Sequence, residues 1–151
     1  MSTTILPSKP SSTVPPDIKL TDIRLPRTLT PLQYDLEITP HLYTGDEKDF
    51  YFYGKVGITI KCKKATKIVT IHANMLKIDF LTVTLTQVAP NAYVNVVNMT
   101  EDKKRQFVHF FLSDDMVKGK EYRLFMEFTG SLKTDLKGFY LSSYKENGQK
   151  R

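Results

Sequence analysis

From Leu20 onward, apolar and polar residues alternate in short runs, the period-two pattern of half-buried strands. Gln33 to Thr39 sets Tyr34, Leu36 and Ile38 on one face and Asp35 and Glu37 on the other, with Pro31 and Pro40 bracketing the run as strand-edge prolines do. Phe50 to Lys63 is the clearest strand. Phe52, Val56, Ile58, Ile60 and Cys62 share one face, while Tyr53, Lys55, Thr59, Lys61 and Lys63 share the other. Gly54 falls on the apolar face, where a missing side chain admits a close neighbour or marks a bulge. Lys67 to Ala73 sets Val69, Ile71 and Ala73 against Thr70 and His72.

Leu76, Ile78 and Phe80 continue the pattern, but Val83 and Leu85 are out of phase with them. A bulge or break near Leu81 would return both sets to the core. Ala92 to Asn98 reads as a weaker strand, and Gln106 to Leu112 and Glu121 to Thr129 as strong ones. Gly45-Asp46, Pro90-Asn91 and Lys118-Gly119-Lys120 supply turn chemistry. No run shows a capped 3.6-residue period. About seven or eight short strands without a helix predict an all-β fold, an antiparallel β-sandwich. Gln106 to Leu112 is apolar on both faces, with Val108, Phe110 and Leu112 on one and Phe107 and Phe111 on the other. Such a strand is either covered twice within the domain or turns its outer face to another domain.

Residues 1–19 carry four prolines among serines and threonines and little to bury, which predicts a flexible lead-in before a domain spanning 20–151. At 151 residues and 17.4 kDa the chain suits one domain. No window reaches the uninterrupted apolar length that spans a bilayer, so no membrane-spanning segment is predicted. Met1 to Thr13 lacks the basic start and apolar run of a secretory signal. Cys62 is the only cysteine, which excludes an internal disulfide, and its place in an alternating strand predicts a buried core thiol. The net charge of +6 invites a nucleic-acid partner. The lysines and arginines are interleaved with Glu101, Asp102, Asp114, Asp115 and Glu121, however, so no nucleic-acid site is predicted.

His41, His72 and His109 are scattered, and none stands in an H-E-x-x-H spacing. His72 and His109 fall in the polar register of their strands, where exposed or hydrogen-bonded imidazoles are expected. There is no G-x-S-x-G elbow, phosphate-binding G-x-x-x-x-G-K-[ST] or G-x-G-x-x-G. Tyr51, Tyr53, Tyr140 and Tyr144 read as packing aromatics. No catalytic, metal or substrate-binding residue is therefore predicted. One covalent signal stands out: Asn98-Met99-Thr100 has the N-glycosylation acceptor pattern, placing candidate Asn98 at a strand end before the polar run 101–105.

Several segments, in order, resemble the amino-terminal domain of the M1 family of zinc aminopeptidases, the family of aminopeptidase N. They are Arg24-Leu25-Pro26 with Pro31 and Gln33-Tyr34-Asp35-Leu36; Gly54-Lys55-Val56-Gly57-Ile58-Thr59-Ile60; and Ile71-His72-Ala73-Asn74 with Leu76 and Ile78. The exit follows with Gly119, Tyr122, Phe128-Thr129-Gly130, Leu132, Asp135-Leu136, Gly138-Phe139-Tyr140 and Ser143-Tyr144. The match covers about Leu20 to Arg151. The resemblance implies a saddle-like β domain that packs against a thermolysin-like catalytic domain and helps close its substrate chamber. The family's H-E-x-x-H motif, its later zinc-ligand Glu and its G-x-M-E-N motif belong to that following domain, and none is present here. Zinc is accordingly expected in the absent catalytic domain, with no cofactor in this chain. The expected partner is that catalytic domain, in cis or in trans, with peptides met only indirectly. The chain alone is not expected to be an enzyme.

The alternative is a stand-alone truncated paralogue acting as a peptide- or protein-binding module. A scaffold role in a nuclear complex ranks last. The closing run Lys145 to Arg151 fits a hairpin whose return strand is missing, which favours a piece of something longer. The lead-in resembles the stalk of cell-surface family members. Together with Asn98 it favours the extracellular face of the plasma membrane, with the cytoplasm as the other location.

Overall fold

Each alternating run has one face that is costly to leave in water, and the chain resolves this by laying two antiparallel sheets face to face. The computed structural model describes residues 23–42, 49–132, 145–147 and 149–150. The strands are β1 (Leu29–His41), β2 (Tyr51–Cys62), β3 (Thr66–His72), β4 (Leu76–Gln87), β5 (Ala92–Val94), β6 (Val96–Asp102), β7 (Phe107–Met116) and β8 (Glu121–Ser131). The larger sheet has the order β1-β2-β8-β4-β5 and the smaller β3-β7-β6. Eight antiparallel strands in two sheets bear out the all-β sandwich read from the sequence. One apolar cluster joins them, with Ile58, Leu124 and Met126 of the larger sheet against Val69, Phe110 and Leu112 of the smaller.

Gly54 admits a close neighbour rather than marking a bulge. The β2–β8 register sets Gly54 opposite Phe128 and Gly130 opposite Phe52. A Cβ at either glycine would collide with the facing ring. The two rings meet edge to face, centroids 6.3 Å apart. Each phenylalanine thus occupies the space that its partner glycine leaves empty.

The phase change in β4 is the predicted break. Asp79 pairs with Glu127 and Thr84 with Phe125, so residues 80–83 are looped against Met126 alone. Leu81 is pushed out to 92% exposure, while Ile78, Val83 and Leu85 all reach the core. The loop is pinned by Leu81 N–H donating to Asp79 Oδ1 at 3.1 Å and the Thr82 hydroxyl donating to the Asp79 carbonyl at 2.7 Å. Glu127 N–H donates to Thr82 Oγ1 at 2.9 Å.

At the turn between β7 and β8, Gly119 takes φ 87°, which favours glycine, and donates its N–H to the Cys62 carbonyl at 2.7 Å. The buried Tyr122 hydroxyl accepts from Val117 N–H at 2.8 Å and donates to Gln87 Oε1 at 3.3 Å. Cys62 is fully buried, as expected of a core thiol, and donates to the Lys64 carbonyl at 3.2 Å. Burial pushes its thiol up from the ordinary value, outweighing that hydrogen bond, so the neutral form is favoured.

β7 lies between β3 and β6, and Val108, Phe110 and Leu112 point into the sandwich. Phe107 points outward yet is buried by its own domain. The His72 ring lies 4.8 Å from its centroid, with the Arg105 guanidinium at 5.9 Å and the His109 ring at 6.0 Å. Phe111 stays half-buried. A second domain is therefore not needed over Phe107. A separate short hairpin pairs β9 (Lys145–Glu146) with β10 (Gln149–Lys150), with Asn147 at φ 50°. This corrects the expectation of a missing return strand, because Gln149–Lys150 pairs back onto Lys145–Glu146. The 1–19 lead-in, the Gly45-Asp46 turn, Tyr140 and Tyr144 lie outside the described residues.

Candidate docking face

The apolar alternation of β1 is real, but its apolar face is not covered. Tyr34 pairs with Ile58, Leu36 with Val56 and Ile38 with Gly54. Residues directly opposite in a ladder share a sheet face, so these three lie on the side that carries the core. Tyr34 is nonetheless 61% exposed and Leu36 60%. The cause is the mismatch of five strands against three. Fully buried positions of the larger sheet lie on β2, β8 and β4, and β1 contributes only the half-buried Leu29 and Ile38. Where the small sheet ends, a shallow cleft opens along Leu25, Leu29, Tyr34, Ile60, Val69 and Ile71. Covering a leucine-sized side chain is worth roughly 1.5–3 kcal/mol, so this edge has unspent apolar surface.

The opposite face of the same sheet carries two ion pairs. Arg123 Nη1 lies 2.8 Å from Asp35 Oδ2, its guanidinium filling the space above Gly57. Gln33 Nε2 donates to Asp35 Oδ1 at 2.9 Å. The Gln33 hydrogen bond first, and then Arg123, hold the Asp35 carboxyl below its ordinary value of 3.8. The folded pKa lies below the unfolded one. Any stabilisation from this contact is therefore present above pH 3.8 and lost as the pH falls through the depressed value. Asp35→Asn should thus lower the thermal midpoint slightly at neutral pH and leave it unchanged in acid, as paired melts at the two pH values would reveal. Nearby, the Tyr53 hydroxyl donates to Glu127 Oε2, and this hydrogen bond is the chief cause of a Tyr53 pKa pushed up to about 12. Lys55 Nζ lies 3.9 Å from the other Glu127 oxygen.

Among the described residues, the three histidines lie apart from one another. His41 stacks on Tyr51 with ring centroids 4.6 Å apart. His109 Nδ1 is 2.9 Å from Thr70 Oγ1, while His72 is exposed, so both match the polar register read from the sequence. Among the described residues no group of three or more His, Cys, Asp or Glu side chains could hold a metal ion. No helix among them is long and apolar enough to cross a membrane. Asn98 is exposed, but it lies within β6 just after the bulge between Val96 and Asn98, not at a strand end. The surface that stands out is Tyr34 and Leu36, on the apolar face of an alternating run whose covering the pattern alone does not specify. The bracketing prolines were the signal for an edge strand, the place where a layer mismatch leaves a face uncovered.

Comparison with known proteins gives this geometry a context. Residues 30–151 match the model of the Peptidase M1 N-terminal domain. The chain is 32% identical over 126 residues to aminopeptidase Ey of Gallus gallus, covering 82% of this chain and 13% of the relative. It is 30% identical over 135 residues to aminopeptidase N of Rattus norvegicus, covering 85% and 14%. With aminopeptidase N of Oryctolagus cuniculus it shares 27% identity over 152 residues, covering 95% and 15%. The chain therefore spans about one seventh of the length of the curated relatives it matches.

Proposed function

Because the chain belongs to the peptidase M1 family and matches its N-terminal domain, we propose that it serves as the non-catalytic β domain of a zinc aminopeptidase. It would dock on the catalytic domain through the Tyr34–Leu36 face of β1 and help close the chamber in which peptides lose N-terminal residues. The observation that carries this reading is an apolar strand face on the core side of the sheet, left 60% exposed at Leu36. Solvated faces of antiparallel sheets are normally polar, and apolar ones are normally covered. The length of the relatives supplies a cover, since most of a matching protein lies beyond the stretch that this chain spans.

Zinc-assisted peptide hydrolysis needs a metal with an open coordination position and a general base. The described residues offer no metal-binding group. On this reading the zinc belongs to the catalytic domain, and residues 20–151 contribute shape, burial and water exclusion. Residues 1–19 would be a tether ahead of that domain.

The test is to combine this chain with the catalytic part of its parent aminopeptidase and measure both association and N-terminal residue release. Leu36→Glu should weaken association at least tenfold, as expected for a central apolar anchor. It should leave the melting of the free chain nearly unchanged, because Leu36 is already in water. Undiminished association of Leu36→Glu would refute docking at this face. Failure of the wild-type chain to associate at all, with peptide binding by the chain alone, would favour the stand-alone module.

A further inference from the structure

We propose that Asn98 is an N-glycan attachment point and that its glycan keeps the outer face of the three-stranded sheet in solvent. Asn98 lies on β6, an edge strand of that sheet, in one cross-strand row with Phe111 and Ile68. The next row on the same face is Thr100, His109 and Thr70. Met99 between them pairs with the fully buried Phe110, which fixes the inward side. The acceptor asparagine and the threonine that completes its pattern therefore stand together on the outside, and both are exposed. The Asn98 amide oxygen is engaged, accepting from Met99 N–H at 2.8 Å. The reacting atom is the other one, Nδ2.

Nδ2 would attack the anomeric carbon of an oligosaccharide carried on a lipid pyrophosphate. The new C–N bond forms as the C–O bond to the pyrophosphate breaks. One amide proton is lost, the lipid pyrophosphate leaves, and nothing is oxidised or reduced. The attached sugar would stand beside the half-buried Phe111 and the 40% exposed Ile68, offering C–H surface to the apolar part of this face. It would also bar the free edge of β6 from pairing with another chain. The proposal is independent of docking at β1, which lies on the other sheet.

The chain, placed behind a cleavable signal peptide, should be translated in the presence of microsomes. One glycan-sized mass step, removed by a peptide-N-glycosidase, is expected. Asn98→Gln and Thr100→Ala should abolish the step and Thr100→Ser should keep it. The secreted glycosylated chain should melt no lower than its enzymatically deglycosylated form. No step in the wild-type chain, or one that survives Asn98→Gln, would overturn the attachment point. A glycosylated form that melts lower would show that this face is not free.

Discussion

Phe110→Ala should destabilise the domain by about 3–5 kcal/mol, whereas Phe111→Ala, one residue along the same strand, should cost about 1 kcal/mol. Phe110 is fully buried and sits in the central strand of the small sheet, with Val69 and Met99 as its cross-strand partners. Its ring faces the larger sheet, so truncation leaves a cavity between two layers, and neither layer can collapse without breaking its ladder. Phe111 points the other way and is half-buried, so its removal leaves a dent that water fills. For a domain with a total stability of about 5–15 kcal/mol, the first change brings it near its unfolding threshold. Urea denaturation of the two variants side by side decides the matter. Equal losses would mean that the small sheet does not bury the Phe110 face, and the sandwich assignment would fall with that result.

What the sequence made legible was the local part of this fold. Alternation assigned faces within β2, β7 and β8, and the slip between Phe80 and Val83 located the β4 bulge, because side-chain direction in a strand depends only on immediate neighbours. Whether a face is covered depends on which strands lie above it. Tyr34 and Leu36 carry the same pattern as Ile58 and Ile60, yet one pair is exposed and the other buried, because the small sheet stops short of β1. Phe107 fails in the opposite sense. Its outward register is legible, but its burial depends on His72 arriving from β3 in the matching row. The exposure of Tyr34 and Leu36 was thus hidden from sequence reasoning by the same ignorance of pairing that made Phe107 look uncovered. Asn98 was legible as a pattern, and the register adds which way it points.

Several residues that carry the family resemblance have an identifiable physical task here. Gly119 takes the left-handed turn, Tyr122 ties that turn to β4 through Gln87, and Gly130 receives the Phe52 ring. None of these tasks is chemical. They fix the β7–β8 turn and the packing of β2 against β8 within the larger sheet.

Gly54→Val should cost about 1–2 kcal/mol, even though valine is the better strand former. Valine's β-propensity is worth at most about 1 kcal/mol in its favour. Against it stands the Phe128 ring, which already fills the space a Cβ would take and is itself nearly buried, edge-on to Phe52. The ring cannot retreat without displacing the reciprocal Phe52–Gly130 pair, so overpacking of about 1–3 kcal/mol or somewhat more decides the sign. Gly54 does not have a positive φ, so its backbone would accept valine, and the cost comes from the facing ring. That claim is separable by a double-mutant cycle. In a Phe128→Ala background the same Gly54→Val change should become neutral or stabilising, because the valine then fills the vacated space, giving a coupling of more than about 1 kcal/mol. Additive losses would mean that the glycine serves the strand and not the ring. The reciprocal packing of Phe52 and Phe128 over the two glycines would then have to be abandoned as the reason position 54 carries no side chain.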